Sequence, residues 1–400
     1  MRVLYLTYNG LTEPLGRRQV LPYILGLARR GWQYTVLSFE KVETADEEAR
    51  RQVRAALDAA GIEWIPKRYH KRPSLGATGF DVSVGIATGL ARSAGVALIH
   101  ARSTVPAVMA ETVSALRRIP WIFDVRGLMA EEYADGGHWP RGGHLFRITS
   151  RVEGRLLQRA SGRVFLTERI REELARRPGW RDRPTAVIPC AAELEAFTST
   201  REAGRAARSR LDLGDGPVLT YSGSLGSWYR LREMLDFYEV AAGQIEGLSL
   251  LILTPSESEA RQAVAAHPLR ARIHLARARP EEVPAYLAAA DAGLCFLGDH
   301  HSKNASSPTK YGEYLAAGLA VVTNPWTGDA ARLAGEKAWI LVDGFTREAY
   351  ATAAQDLAAR LREPESLRAA ARDLARREFS LEEAVGRYDA LYRRVLEPRA

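Results

Sequence analysis

A chain of 400 residues, 46% hydrophobic and 26% charged, suits two domains that each bury a core, and it excludes disordered and collagen-like classes. The net charge is +8 and lies in the first half: residues 1–200 carry thirty Lys and Arg against twenty-one Asp and Glu, the remainder twenty-six against twenty-seven. That asymmetry fits an anionic partner such as lipid headgroups, a phosphorylated acceptor or nucleic acid, or else an arginine-rich genome composition.

Short apolar strands alternate with helical patterns along both halves, which predicts parallel α/β sheets. The first strand is expected at Val3–Tyr8, and a turn-rich loop then runs from Asn9 to Gly16. A helix should follow as far as Gly31, burying Val20, Leu21, Ile24, Leu25 and Ala28. Further strands are expected at Tyr34–Phe39, Ala97–His100, Trp121–Val125, Arg163–Leu166 and Ala186–Pro189. Residues 198–217 are rich in Arg, Ala, Gly and Asp and read as a linker. The expected division is a first domain over 1–197, a second over 218–378 and a final helix over 379–400. Strands in the second domain are expected at Val218–Ser222, Leu248–Thr254, Arg272–Leu275, Ala292–Leu297, Ala320–Thr323 and Ala338–Leu341. At the end, Ala384, Val385, Tyr388, Leu391, Tyr392 and Val395 recur at helical spacing and need a surface to cover them.

The most informative stretch is Ser306-Ser307-Pro308-Thr309-Lys310-Tyr311-Gly312-Glu313. Ser307 reads as an N-cap and Pro308 as the first helical residue. A helix start offers free N–H groups and partial positive charge to a pyrophosphate, with hydroxyls and Lys310 adding donors and charge. Glu313 lies four residues after Thr309, so the two share a helix face, and its carboxylate can accept ribose hydroxyls. A capped helix with a solvated glutamate is the plainer reading of the same residues.

The run from Ser306 through Gly318 resembles the donor-site signature of GT-B glycosyltransferases, especially the large retaining family four. Val187 to Phe197 resembles the usual end of the first domain, and Pro280 to Asp291 the helix before the donor loop. Leu11 to Trp32 is similar to the opening of bacterial polysaccharide-assembly members. The resemblance implies two Rossmann-like domains facing a cleft, with the last helix crossing back to the first. It implies transfer of a sugar from a nucleotide-sugar donor, with retention, to a saccharide or lipid-linked acceptor. The donor is a co-substrate, and no cofactor is expected.

Family members often pair two glutamates with seven residues between them; the second matches Glu313, and Ala305 stands where the first would be. In the Gly-Arg and Lys pattern for the diphosphate, Gly223 matches, Ser224 replaces the Arg and Arg230 stands at the Lys position. Gly16 matches a glycine at which backbone approaches diphosphate and acceptor. Arg126 replaces a histidine that follows the strand at Trp121–Val125, with Glu131, Glu132 and Trp139 downstream. Arg126 or Asp124 is expected to touch acceptor or donor sugar; a strand-end ion pair between them is the alternative. Catalytic roles thus fall on Arg126, Arg230 and Glu313, and donor binding on Gly16, Gly223, Ser224, Arg230, Ser306, Ser307, Thr309, Lys310 and Glu313.

Lys67, Arg68, Lys71 and Arg72, interleaved with Tyr69 and His70, form a basic run. With Asp124 and Glu131 they are placed on the acceptor or membrane side, where each cation near an anionic surface adds ~1 kcal/mol. A solvated loop and single-stranded nucleic acid are the rivals, and no nucleic-acid module is visible. No Asp-x-Asp pattern, no metal-spaced His/Cys cluster, no Gly-x-Gly-x-x-Gly after the first strand and no phosphate-loop motif occur, so metal-dependent, nicotinamide and phosphate-loop chemistries are not expected. His300-His301 reads as a loop feature. Cys190 and Cys295 read as reduced thiols, and no signal peptide or ~20-residue apolar span is expected. A cytoplasmic protein, peripheral on the inner membrane face, follows from these expectations. A sugar-nucleotide epimerase and a catalytically silent GT-B binding module are the alternatives.

Overall fold

The computed structural model describes residues 1–41, 47–72, 74–198, 201–226 and 228–397. The chain divides into two compact units, Met1–Pro189 with Leu381–Ala400, and Cys190–Ser380.

The first unit runs β1 (Arg2–Thr7), α1 (Pro14–Gln19), α2 (Leu21–Arg29), β2 (Gln33–Glu40), α3 (Glu47–Ala59), β3 (Glu63–Arg68), α4 (Ser74–Ala91) and β4 (Val96–Arg102). It continues with α5 (Thr104–Arg117), β5 (Trp121–Asp124), α6 (Met129–Asp135), α7 (His144–Arg159), β6 (Gly162–Phe165), α8 (Glu168–Ala175) and β7 (Thr185–Val187). The seven strands pair in parallel in the order β3-β2-β1-β4-β5-β6-β7. Strands buried on both faces read as apolar runs, and β1 is buried from Val3 onward.

The second unit contains α9 (Arg201–Leu211), β8 (Val218–Ser222), α10 (Leu231–Ala242), β9 (Ser249–Leu253), α11 (Glu257–Val264), β10 (Ile273–Ala276) and α12 (Val283–Leu287). Then come β11 (Ala292–Cys295), α13 (Thr309–Ala316), β12 (Ala320–Thr323), β13 (Trp339–Leu341), α14 (Arg347–Leu361) and α15 (Pro364–Phe379). Its six parallel strands lie in the order β10-β9-β8-β11-β12-β13. In each sheet the winding reverses once, between β1 and β4 and between β8 and β11. At such a reversal the loops beyond the strands' C-terminal ends diverge and leave a crevice for a ligand.

The helix expected to continue to Gly31 is two helices, α1 and α2, parted at Val20, which leaves helical geometry just before Pro22. The segment 198–217 is not a bare linker: α9 occupies its middle and lies so close to α12 that a Cβ on Gly204 would sit 2.5 Å from the Ala288 carbonyl oxygen. Its low hydrophobicity misled because α9 buries only a narrow small-residue face. The unit boundary falls earlier, at Pro189/Cys190.

The last helix, α16 (Leu381–Leu396), belongs to the first unit. Its buried face carries Ala384, Val385, Tyr388, Leu391 and Tyr392. Polar contacts fix its register: the indole of Trp32 donates to Asp389 at 2.8 Å, and the hydroxyl of Tyr34 donates to that of Tyr392 at 3.2 Å. Among the described residues no helix is long and apolar enough to cross a membrane. Both cysteines are free and buried.

Candidate active site

In the second unit the reversal between β8 and β11 brings together the loop after β8, the loop after β11 and the start of α13. Gly223 follows β8 with φ +140°, a conformation that side chains rarely tolerate, and its N–H donates to the Leu253 carbonyl at 2.8 Å. A Cβ there would lie 2.6 Å from Nζ of Lys310, so the glycine makes room for that ammonium. Lys310 is buried, with Nζ 3.8 Å from the centre of the Tyr229 ring and 5.1 Å from that of Tyr221. Burial opposes the charge, but the two phenols more than offset it, and the ammonium is held above its ordinary pKa.

α13 begins at Thr309, with Pro308 in extended geometry as its N-cap and no side chain capping the free N–H groups. This corrects the sequence expectation by one residue. Ser307 does not cap; its Oγ accepts from the Cys190 N–H at 3.1 Å and ties the loop to the start of the unit. Ser306 points its hydroxyl back at the Ser302 carbonyl, 3.5 Å away. Thr309 is half-buried at the helix start, and Glu313 is buried one turn on. α13 is seated by Tyr314, whose hydroxyl accepts from the Ser222 N–H at 2.8 Å, and by Tyr311, whose hydroxyl lies 2.7 Å from Oγ1 of Thr323.

Arg230 caps α10 by position, is exposed, and pairs with Glu233. Its backbone N–H donates to the Phe296 carbonyl at 3.0 Å, which joins the β8 loop to the β11 loop. Ser224 is exposed, and its carbonyl accepts from the Tyr221 hydroxyl at 2.7 Å. Ala305 is buried at the end of a 3-10 turn, His301–Ala305. Sequence reasoning missed Lys303 in that turn. It is buried with Nζ 3.6 Å from the Trp228 ring, while His300 meets the same indole edge-on at 6.4 Å. Its neighbours Ser306 and Lys310 could have flagged it as a second cation on the same loop.

In the first unit the loop after β1 is built on Glu40, which also escaped the sequence reading. Its buried carboxylate accepts from the N–H groups of Leu11 and Thr12 at 2.9 and 3.2 Å and from the Thr12 hydroxyl at 2.6 Å. Gly16 is required by close packing, since a Cβ there would lie 1.9 Å from the Gly10 carbonyl oxygen. Asp124 is buried: it is 1% exposed and accepts from the Tyr388 hydroxyl at 3.0 Å, with Nε2 of His100 3.3 Å away. Arg126 Nη1 lies 3.6 Å from its other oxygen, so the ion-pair alternative describes these two residues. Burial opposes the Asp124 charge, but Arg126 and then His100 hold its carboxyl well below the usual range. Burial likewise lowers the His100 pKa and keeps that imidazole neutral.

Glu131 pairs with Arg141 at 2.5 Å, and Arg141 also holds Asp135. Of the basic run, Lys67 and Arg68 lie on β3, at the sheet edge, rather than in a loop. Arg68, Lys71 and Arg72 are exposed and Lys67 is half-buried. His70 between them is clamped by Asp81 of α4, Nδ1 to Oδ1 at 2.6 Å. Among the described residues no cluster of three His, Cys, Asp or Glu could hold a metal ion.

Comparison with known structures agrees with this architecture. HepE of Anabaena, solved in complex with UDP, superposes with a TM-score of 0.72 over 98% of this chain and 99% of that one, at 18% identity. A glycosyltransferase of Rickettsia africae gives 0.70 over 100% and 99% at 12% identity. Sucrose-phosphate synthase of Thermosynechococcus elongatus gives 0.69 over 98% of each chain at 18% identity. No curated protein sequence matches significantly. The two parallel-sheet units have the fold of GT-B glycosyltransferases. Residues 16–191 match the glycosyl transferase 4-like domain, so the chain is a glycosyltransferase of GT-B architecture that carries this domain in its first unit.

Proposed function

We propose that the protein transfers a glycosyl group from a nucleotide-sugar donor to a saccharide or lipid-linked acceptor, with retention and without a metal ion. The observation that carries this reading is the buried ammonium of Lys310, set against Gly223 at the uncapped start of α13. There the helix N–H groups, Lys310 and Arg230 meet the diphosphate and stabilise the charge that grows on it as the glycosyl bond breaks. Glu313, one turn along, takes the ribose hydroxyls. In a retaining transfer the departing phosphate accepts the acceptor's proton, so no separate base is required. Melting curves with UDP, GDP, ADP and CMP test the donor site. One nucleotide at about 100 times its dissociation constant should raise Tm by roughly 5–10 °C, and should fail to do so in Lys310→Ala. Equal shifts in that variant would remove the assignment.

The acceptor side is proposed to meet an anionic membrane through Arg68, Lys71 and Arg72. Leu75 and Phe80 of α4, 65% and 57% exposed, support this reading, because the Phe80 ring lies 5.2 Å edge-on from His70 of the basic run. Cations beside exposed apolar side chains suit an interface where headgroups meet acyl chains.

A further inference from the structure

We propose that the second unit carries a further anion site, distinct from the donor site, that binds a small phosphate monoester at the far end of α13. A cavity of about 560 Å³ opens between α9, α15 and the end of α13, within the size range of small-molecule sites. Arg205 and Arg208 of α9, Arg368 and Arg372 of α15, and Ala317 line it. Two of these guanidinium groups are fixed in place by one carboxylate. Asp291 holds Arg208 at 2.9 Å with one oxygen and Arg368 at 2.7 Å with the other. Arg208 donates also to the Gly216 carbonyl at 2.7 Å. Arg205 and Arg372 have no hydrogen-bond or ion-pair partner among the described residues.

The charges decide the ligand class. Four guanidinium groups stand against two carboxylates, Asp291 and Glu365, which leaves a surplus of two. A phosphate monoester carries −1.5 to −2 near neutral pH and three acceptor oxygens that match the planar guanidinium fork. The cavity exceeds what a bare phosphate fills, so the ester's organic part has room beside the small side chains of Ala288 and Ala317. The donor site lies at the N-terminal end of the same eight-residue helix, about 12 Å away along its axis. The simpler role for these arginines is to offset the negative end of α13. Arg368 also donates to the Ala290 carbonyl at 3.4 Å and is engaged within the fold, whereas Arg205 and Arg372 have no such partner among the described residues.

Calorimetric titration of the whole protein with inorganic phosphate tests the proposal. A phosphate site should remain in Lys310→Ala, and adding Arg205→Ser/Arg372→Ser should weaken it about tenfold, with Arg205→Lys/Arg372→Lys in between. Loss of binding in Lys310→Ala would place the phosphate in the donor site and overturn the inference. So would the absence of binding by wild type at millimolar phosphate. Unchanged binding in Arg205→Ser/Arg372→Ser together with a lowered Tm would assign these arginines to the helix end alone.

Discussion

At the scale of single residues, part of the proposed donor side is legible because Ser306, Ser307, Thr309, Lys310 and Glu313 lie within a few positions of one another, whereas Gly223 meets Lys310 only through the fold. Lys310 and Glu313 share one turn of α13, and the spacing from Thr309 to Glu313 together with the family resemblance pointed to the ribose role. Replacing Glu313 by Ala should lower kcat/KM for the donor at least tenfold, since each lost charge-assisted bond is worth ~1.5–3 kcal/mol. Wild-type kinetics in a folded Glu313→Ala protein would dismiss the ribose role. Gly223→Ala should raise the donor KM, because its Cβ displaces the Lys310 ammonium; an unchanged KM would show that the ammonium sits elsewhere during turnover. Glu40 and Glu153 were not legible, because what they hold is distant in sequence, while Lys303 had only its neighbours Ser306 and Lys310 to mark it. Glu153 accepts from the Met129 N–H at 2.8 Å and the Thr104 hydroxyl at 3.0 Å, yet burial outweighs these bonds and pushes its pKa up to about 7. A raised folded pKa contributes stability that is complete below the ordinary value of 4.5 and is lost as pH rises through about 7. Glu153→Gln should therefore flatten the pH dependence of Tm between these values, a change on the order of 2–3 kcal/mol. An unaltered profile would mean that the carboxyl is not held in its neutral form.

Among the elements, strands were easier to place than boundaries. Val218–Ser222 and Ala320–Thr323 were bounded to the residue, since buried parallel strands announce themselves as apolar runs between turn residues. α9 was hidden because its sequence, Arg-Glu-Ala-Gly-Arg-Ala-Ala-Arg-Ser-Arg-Leu, offers small residues rather than large apolar ones to the core. The apolar stripe of α16 was plain, but the polar network beneath it was not. Asp124, His100, Tyr388 and Tyr392 come from β5, β4 and α16, and their meeting depends on sheet order. That network explains why Asp124 and Arg126 looked like ligand contacts: charged residues at a strand end suit either role until their partners are known. Asp124→Ala removes the acceptor of the Tyr388 hydroxyl and the carboxylate paired with Arg126, and should cost ~3–5 kcal/mol, the range for breaking a buried ion pair. A Tm within a degree or two of wild type would show that α16 is held by its apolar face alone.

For the molecule as a whole, the uneven charge and the reaction chemistry give separate expectations. Association with acidic vesicles should weaken as salt shortens the Debye length from ~10 Å at 0.1 M to ~3 Å at 1 M. Changing Lys67, Arg68, Lys71 and Arg72 to Ser should reduce binding, and equal binding to neutral vesicles would refute the electrostatic account. Transfer should survive EDTA, because Lys310, Arg230 and the start of α13 are assigned the charge that a metal would otherwise offset. Loss with chelator and recovery with magnesium or manganese would reassign that role. The most direct test of the central claim is mass-spectrometric analysis of the purified protein incubated with a panel of nucleotide sugars and saccharide or lipid-linked acceptors. One donor should yield its nucleoside diphosphate and a glycosylated acceptor in equal amounts, with the yield falling sharply in Lys310→Ala. An isomerised donor without transfer, or every donor left intact with every acceptor, would contradict the account.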